Sequence, residues 1–230
     1  MLEIAANLAR IRTEIAAVCT RCGRDPATVR LVAVSKTHPA TAIEAACAAG
    51  QTLFGESYVQ EFLTKAAAVN APLQWHFIGH LQSNKVKYLP GKVSLIHSVD
   101  RLSLAEEIDC QWGKSGLQAE ILIEVNLGGE ASKSGVTAAA LEPLLRRLAQ
   151  FPHLSVRGLM TLPPYLADPD EVRPYFRTLR ELARQLDALA LPGVSMHELS
   201  MGMSHDFAVA IEEGATLVRV GTAIFGERLG

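Results

Sequence analysis

Eight short apolar runs alternate with stretches of helical periodicity, and this rhythm constrains the chain more than any other feature. The runs occupy 29–36, 52–57, 74–79, 95–100, 120–127, 155–161, 194–200 and 216–221. Helix-like stretches separate most of them, at 41–49, 59–69, 81–88, 101–112, 137–150, 171–189 and 205–213. Strands alternating with helices predict parallel βαβ units. The runs are evenly spaced and apolar on both faces, which favours a closed (β/α)8 barrel of the TIM type over an open doubly wound sheet. An additional helix precedes the first run. It places Ile4, Leu8, Ile11, Ile15, Val18 and Cys22 at alternating spacings of four and three and stops at Gly23, before Asp25-Pro26. At 230 residues, without a charge block, low-complexity tract or Gly/Ser linker, the chain is expected to form one α/β domain over 1–230.

A formal charge of -2 from 22 basic and 24 acidic side chains gives no global attraction to phosphate polymers, so nucleic acid is not expected as a partner. No apolar stretch is long enough to cross a bilayer, and residues 1–22 lack the layout of a cleaved leader. Four cysteines, Cys19, Cys22, Cys47 and Cys110, are too sparse for a disulfide framework and suit a cytoplasmic protein. Cys19-Thr-Arg-Cys22 matches C-x-x-C, but it closes a helical pattern instead of opening a helix after a strand. Ordinary packing is the expected role.

In a barrel of this kind, chemistry belongs at the C-terminal ends of the strands, and phosphate is often held by the loops after strands seven and eight. Lys36 closes the first run and precedes Thr37, His38 and Pro39. Desolvation there would disfavour the ammonium and leave an amine able to capture a carbonyl, the alternative being a solvated strand-end lysine. After the seventh strand comes Ser200-Met-Gly-Met-Ser-His-Asp206, and after the eighth Gly221-Thr222. Hydroxyls and exposed backbone N–H groups at such turns suit a phosphate. Arg219 shares a strand face with Gly221, so its guanidinium should meet a buried carboxylate or a ligand atom. An aldehyde, a ring acceptor and a phosphate on one molecule would satisfy all three positions, and pyridoxal 5′-phosphate (PLP) carries all three.

The chain resembles the YggS/PROSC group of pyridoxal phosphate homeostasis proteins, whose barrel is similar to the N-terminal domain of alanine racemase. The motifs are Leu31-Val-Ala-Val-Ser-Lys36, Phe54-Gly-Glu-Ser-Tyr-Val-Gln60, Trp75-His-Phe-Ile-Gly-His-Leu-Gln82, Ser132-Lys-Ser-Gly135, Gly158-Leu-Met160, Leu199-Ser-Met-Gly-Met-Ser204 and Val218-Arg-Val-Gly-Thr-Ala-Ile-Phe-Gly226. The resemblance implies that Lys36 carries PLP as a Schiff base, that Ser200, Gly221 and Thr222 hold its phosphate, and that Arg219 faces its pyridine nitrogen. Ser57 stands where the family usually has Asn, a shorter side chain for any cofactor contact.

The same resemblance implies intracellular storage, buffering or delivery of PLP by a monomer or weak dimer, with apo PLP-dependent enzymes as recipients. Alanine racemase adds a C-terminal β domain and a tyrosine from its partner subunit, and this chain is expected to lack both and to show little turnover. A small PLP-dependent racemase or lyase is the alternative. A barrel enzyme in which Lys36 attacks a sugar carbonyl is a third, weaker reading.

His76 and His80 lie four apart, but on a strand that spacing separates them by about 13 Å, too far to share one metal. His80 remains a candidate cofactor contact, against a loop or helix-cap role. Lys133 fits a solvated loop lysine better than an anion contact. Asp100 and Glu198 receive no proton-transfer role from their positions.

Overall fold

A computed structural model describes residues 2–130 and 134–227. The strands β1 (Arg30–Val34), β2 (Leu53–Glu56), β3 (Gln74–Phe77), β4 (Leu95–Val99), β5 (Ala119–Glu124), β6 (Leu154–Met160), β7 (Val194–Ser200) and β8 (Leu217–Val220) form one closed parallel barrel. Closure joins β1 to β8 with Val32 beside Arg219 and Ala33 beside Val220. Each strand coincides with an apolar run of the sequence. Residue 36 lies just beyond β1, in the turn, so Lys36 is carried past the strand end instead of closing it.

The helices are α1 (Leu2–Arg21), α2 (Ala40–Ala48), α3 (Val59–Ala68), α4 (Leu102–Lys114), α5 (Ala138–Leu148), α6 (Arg173–Asp187), α7 (Phe207–Glu212) and α8 (Thr222–Phe225). Between β3 and β4 the chain forms a 3-10 helix, Ser83–Tyr88, where the periodicity suggested an ordinary helix. The N-terminal helix buries Leu8, Ile11, Ile15, Val18 and Cys19. Cys22, assigned to that stripe by spacing, is exposed. At 3.6 residues per turn, Cys19 follows Ile15 onto the buried face and continues the stripe. This helix packs against α2, α7 and α8, and Asn7 Nδ2 donates to the Ile224 carbonyl at 3.1 Å. No described helix is long and apolar enough to cross a membrane.

Most of the core lies between the strands and their covering helices. A second apolar cluster fills the barrel itself, with Val32, Leu53, Leu95, Leu122, Met160 and Leu217. Side chains two apart on a strand share a face. The next inward residue after Leu95 is therefore His97, after Leu122 Glu124 and after Leu217 Arg219. Polar groups thus stand directly on an apolar plug, at the C-terminal end of the barrel.

Candidate functional site

Two connected lobes open at that end. The smaller, about 330 Å³, is lined by Val34, Lys36, Ser57, Arg219, Gly221, Thr222 and the 203–205 turn, among others. The larger, about 780 Å³, contains Glu124, Asn126, His80, Gln82, Lys85, Ser134 and neighbouring residues. Lys36 and Ser57 border both. The Gly79 position explains how Ser57 reaches this boundary: a Cβ there would lie 2.3 Å from the Ser57 carbonyl oxygen, so the β3 exit crosses the β2 exit only without a side chain.

The backbone on both sides of Lys36 is tied to one buried ion cluster. Lys65, on α3, donates from Nζ to the Ser35 carbonyl at 2.6 Å, to Glu56 Oε1 at 2.8 Å and to Glu61 Oε1 at 2.6 Å. Ser35 Oγ donates to Glu56 Oε1 at 2.6 Å, and the Thr37 N–H to Glu61 Oε1 at 2.5 Å. Burial pushes the Glu56 carboxyl up, and Lys65 and Ser35 pull it back. Thr37 has φ of 67°, an uncommon backbone for a β-branched residue, held by these long-range contacts.

Arg219, on β8, is 4% exposed. Nη1 donates to Ser200 Oγ at 2.5 Å and Nη2 to the Thr161 carbonyl at 2.9 Å. No carboxylate pairs with it among the described residues; of the two acceptors left open by the sequence, the buried carboxylate is absent from its contacts. Burial lowers its pKa to about 10, so the guanidinium stays charged at neutral pH.

Below it runs a buried chain: Ser200 Oγ lies 2.8 Å from His97 Nδ1, and His97 Nε2 lies 2.9 Å from His76 Nδ1. Burial lowers the His76 pKa to about 3. It also holds His97 well below the ordinary value, with His76 and Arg219 adding to the shift.

The placement of Ser200 differs from the expected phosphate contact. Its side chain is fully buried, its hydroxyl is engaged by Arg219 and His97, and it borders neither lobe. Ser200 ends β7 with its side chain inside the barrel, whereas the following turn delivers Ser204 to the Gly221-Thr222 side of the small lobe. Gly202 makes that turn possible. It has φ of 89°, and a Cβ on it would meet Phe207 Cα at 2.9 Å. Ser204 Oγ accepts from the Ala223 N–H at 3.4 Å.

His80 borders the larger lobe. Its Nδ1 lies 3.3 Å from Ser134 Oγ and 3.8 Å from Asp100 Oδ2. His76 pairs with His97 across β3 and β4 and not with His80. Lys133 and Ser132 lie outside the described residues.

Sequence reasoning missed Glu124, Asn126 and Lys85. Glu124 is 6% exposed, and burial with nearby Asp100 pushes its pKa up to about 7. The signal for it was its position two residues beyond Leu122, the same offset that links Leu217 to Arg219.

Residues 6–229 match the family described as alanine racemase, N-terminal domain. A protein of Aquifex aeolicus named pyridoxal phosphate homeostasis protein is 50% identical over 223 residues, covering 96% of this chain and 97% of that relative. One of the same name from Pseudomonas aeruginosa is 44% identical over 229 residues, covering 99% and 97%. The structure of PipY from Synechococcus elongatus, solved with PLP bound, superposes with a TM-score of 0.86 at 39% identity, over 97% of this chain and 100% of that one. With such likeness along nearly its whole length, the chain belongs to the alanine racemase N-terminal-domain family, among relatives named pyridoxal phosphate homeostasis protein.

Proposed function

We propose that this protein binds PLP in the small lobe, holds it as a Schiff base on Lys36, and stores, buffers or delivers it in the cytosol with little turnover. The observation that carries the reading is Arg219: a buried guanidinium, bonded to two neutral acceptors and bordering the same lobe as Lys36. A guanidinium has five N–H donors, so it retains donors for a ring acceptor. Gly221 lets the β8 exit lie close against β1, since a Cβ there would stand 3.2 Å from the Val34 carbonyl oxygen. PipY, similar throughout, was solved with PLP.

PLP supplies an aldehyde for a lysine amine, a phosphate, and a pyridine ring that can withdraw electrons. In this reading the Lys36 amine is the tether. Ser204, Thr222 and the Gly221 turn hold the phosphate, with Ser204 in the place first given to Ser200. Ser57 borders the ring, and His80 stays on the larger-lobe side. Arg219 donates a hydrogen bond and keeps its proton, so the ring nitrogen it meets stays unprotonated and withdraws electrons weakly. That property favours holding the cofactor over carbanion chemistry. Recipients would be apo PLP-dependent enzymes, and the protein would act as a monomer or weak dimer.

Purified protein mixed with PLP is expected to turn yellow, and borohydride reduction followed by peptide mapping to place the label on Lys36. Lys36→Ala should stay colourless. Label on another lysine, or no chromophore, overturns the binding mode. Rapid, Lys36-dependent racemisation of alanine overturns the carrier role and supports the small-racemase alternative.

A further inference from the structure

We propose that His97, backed by His76, is a positioning residue that sets the direction of the Arg219 guanidinium through the Ser200 hydroxyl. A guanidinium only donates, so Ser200 Oγ accepts from Arg219 Nη1. The one hydroxyl proton of Ser200 then needs a different acceptor. His97 Nδ1 at 2.8 Å is the other partner of that oxygen among the described residues. His97 Nδ1 is therefore bare, its ring proton sits on Nε2, and that proton is donated to His76 Nδ1 at 2.9 Å. His76 in turn carries its proton on Nε2.

The opposite polarity would leave the Ser200 proton without an acceptor in a side chain with no exposed surface, which costs the desolvation of that group. A doubly protonated His97 would donate from both nitrogens and add a second cation close to Arg219, inside the barrel. Burial already disfavours that form. Three neutral side chains thus make one polarised chain whose direction is imposed by the charge at its upper end.

The consequence falls on Arg219. Its two terminal nitrogens are anchored to different acceptors, Ser200 Oγ and the Thr161 carbonyl. A planar fork pinned at both Nη1 and Nη2 cannot turn about its axis. Without His97 the Ser200 hydroxyl loses its acceptor, is free to rotate, and no longer presents a fixed lone pair to Nη1. His97 therefore acts on the small lobe without touching it. Only the effect on PLP rests on the proposed function; the proton positions and the pinned guanidinium do not.

Nitrogen-15 NMR of the cofactor-free protein tests the chain directly. Near neutral pH, His76 and His97 are expected to be neutral with the proton on Nε2, and the Arg219 Nη signals to be resolved because rotation is blocked. In His97→Leu those signals should merge. In His97→Asn, whose side-chain oxygen accepts near the Nδ1 position, they should stay resolved. PLP titration of the same proteins should show about tenfold weaker binding and a displaced visible band for His97→Leu, with His97→Asn close to wild type.

An Nδ1 proton or an imidazolium at His97 overturns the proposal, and so do resolved Arg219 signals in His97→Leu. Should His97→Leu fail to fold, the wild-type tautomers and the His97→Asn spectrum still decide it. A protein with the expected tautomers and a pinned Arg219 that takes up no PLP refutes the proposed function while supporting the chain.

Discussion

Lys36 and Arg219 emerge from adjacent strands, yet the polar groups beneath them are built on opposite plans. Around the backbone flanking Lys36, the buried Lys65 ammonium meets two carboxylates and a carbonyl, so each charge has an opposite partner in direct contact. Arg219 hydrogen-bonds only neutral groups, a hydroxyl and a carbonyl, with two imidazoles behind the hydroxyl, while the Asp206 and Glu124 carboxyls act on it without direct contact among the described residues. The first arrangement spends its charges internally and thereby fixes backbone. The second holds a charge without bonding it directly to a carboxylate, so the guanidinium keeps donors for whatever enters the lobe. Buried charge serves as structure in one case and as an unfilled bonding capacity in the other.

The largest effect should come from breaking the compensated cluster. Lys65→Met leaves Glu56 buried without its cation and is expected to cost about 3–5 kcal/mol in urea unfolding. Replacing Glu56 by Leu in the same chain should restore much of that loss, since an apolar pair of similar volume needs no compensation. Full destabilisation persisting in the double variant would mean that the cluster acts through packing and not through charge.

Acid should separate the two plans next. His76 has its pKa depressed from 6.5 to about 3, so its neutral form stabilises the fold fully above pH 6.5. That contribution is lost as the pH falls from 6.5 toward 3. A single proton taken up on unfolding gives a slope of about 1.4 kcal/mol per pH unit within the window. His76→Asn keeps an acceptor for His97 but cannot titrate, and should flatten the stability profile by about that slope. An unchanged profile would show that His76 is already charged in the folded protein.

The smallest effect sharpens the contrast by its sign. Arg219→Met removes a cation that has no carboxylate partner and forfeits two hydrogen bonds to neutral groups. Stability is expected to stay level or to rise by up to ~2 kcal/mol, while PLP uptake falls away. A loss as large as that of Lys65→Met would erase the distinction between the two regions.

The eight strands were legible because each is covered on both faces and therefore reads as an unbroken apolar run. Lys36, Gly221 and Thr222 were legible because strand ends and turns mark the rim of a barrel. Ser200 and Ser204 were not separable in the same way. Both precede β8 within one short segment, and the last inward position of β7 decides that one is sealed and the other open. Spacing within β3 drew attention to His76 and His80, but the pairing that forms, His76 with His97, crosses strands and depends on register. Lys85 gave no local signal either, because a lysine on a short helix is ordinary until closure sets it beside a cavity, whereas Glu124 was marked only by its offset of two from Leu122.

The β1–β8 seam has a consequence for how the protein is made. Lys36 follows the first barrel strand and Arg219 lies on the eighth, so they become neighbours only when β1 receives β8 along Arg30↔Leu217 to Ala33↔Val220. A chain emerging from the ribosome exposes its lysine long before the guanidinium and the Gly221 turn exist. The site is therefore a property of the finished barrel. Capture of a ligand there cannot template the first half of folding; it certifies that the last strand has arrived.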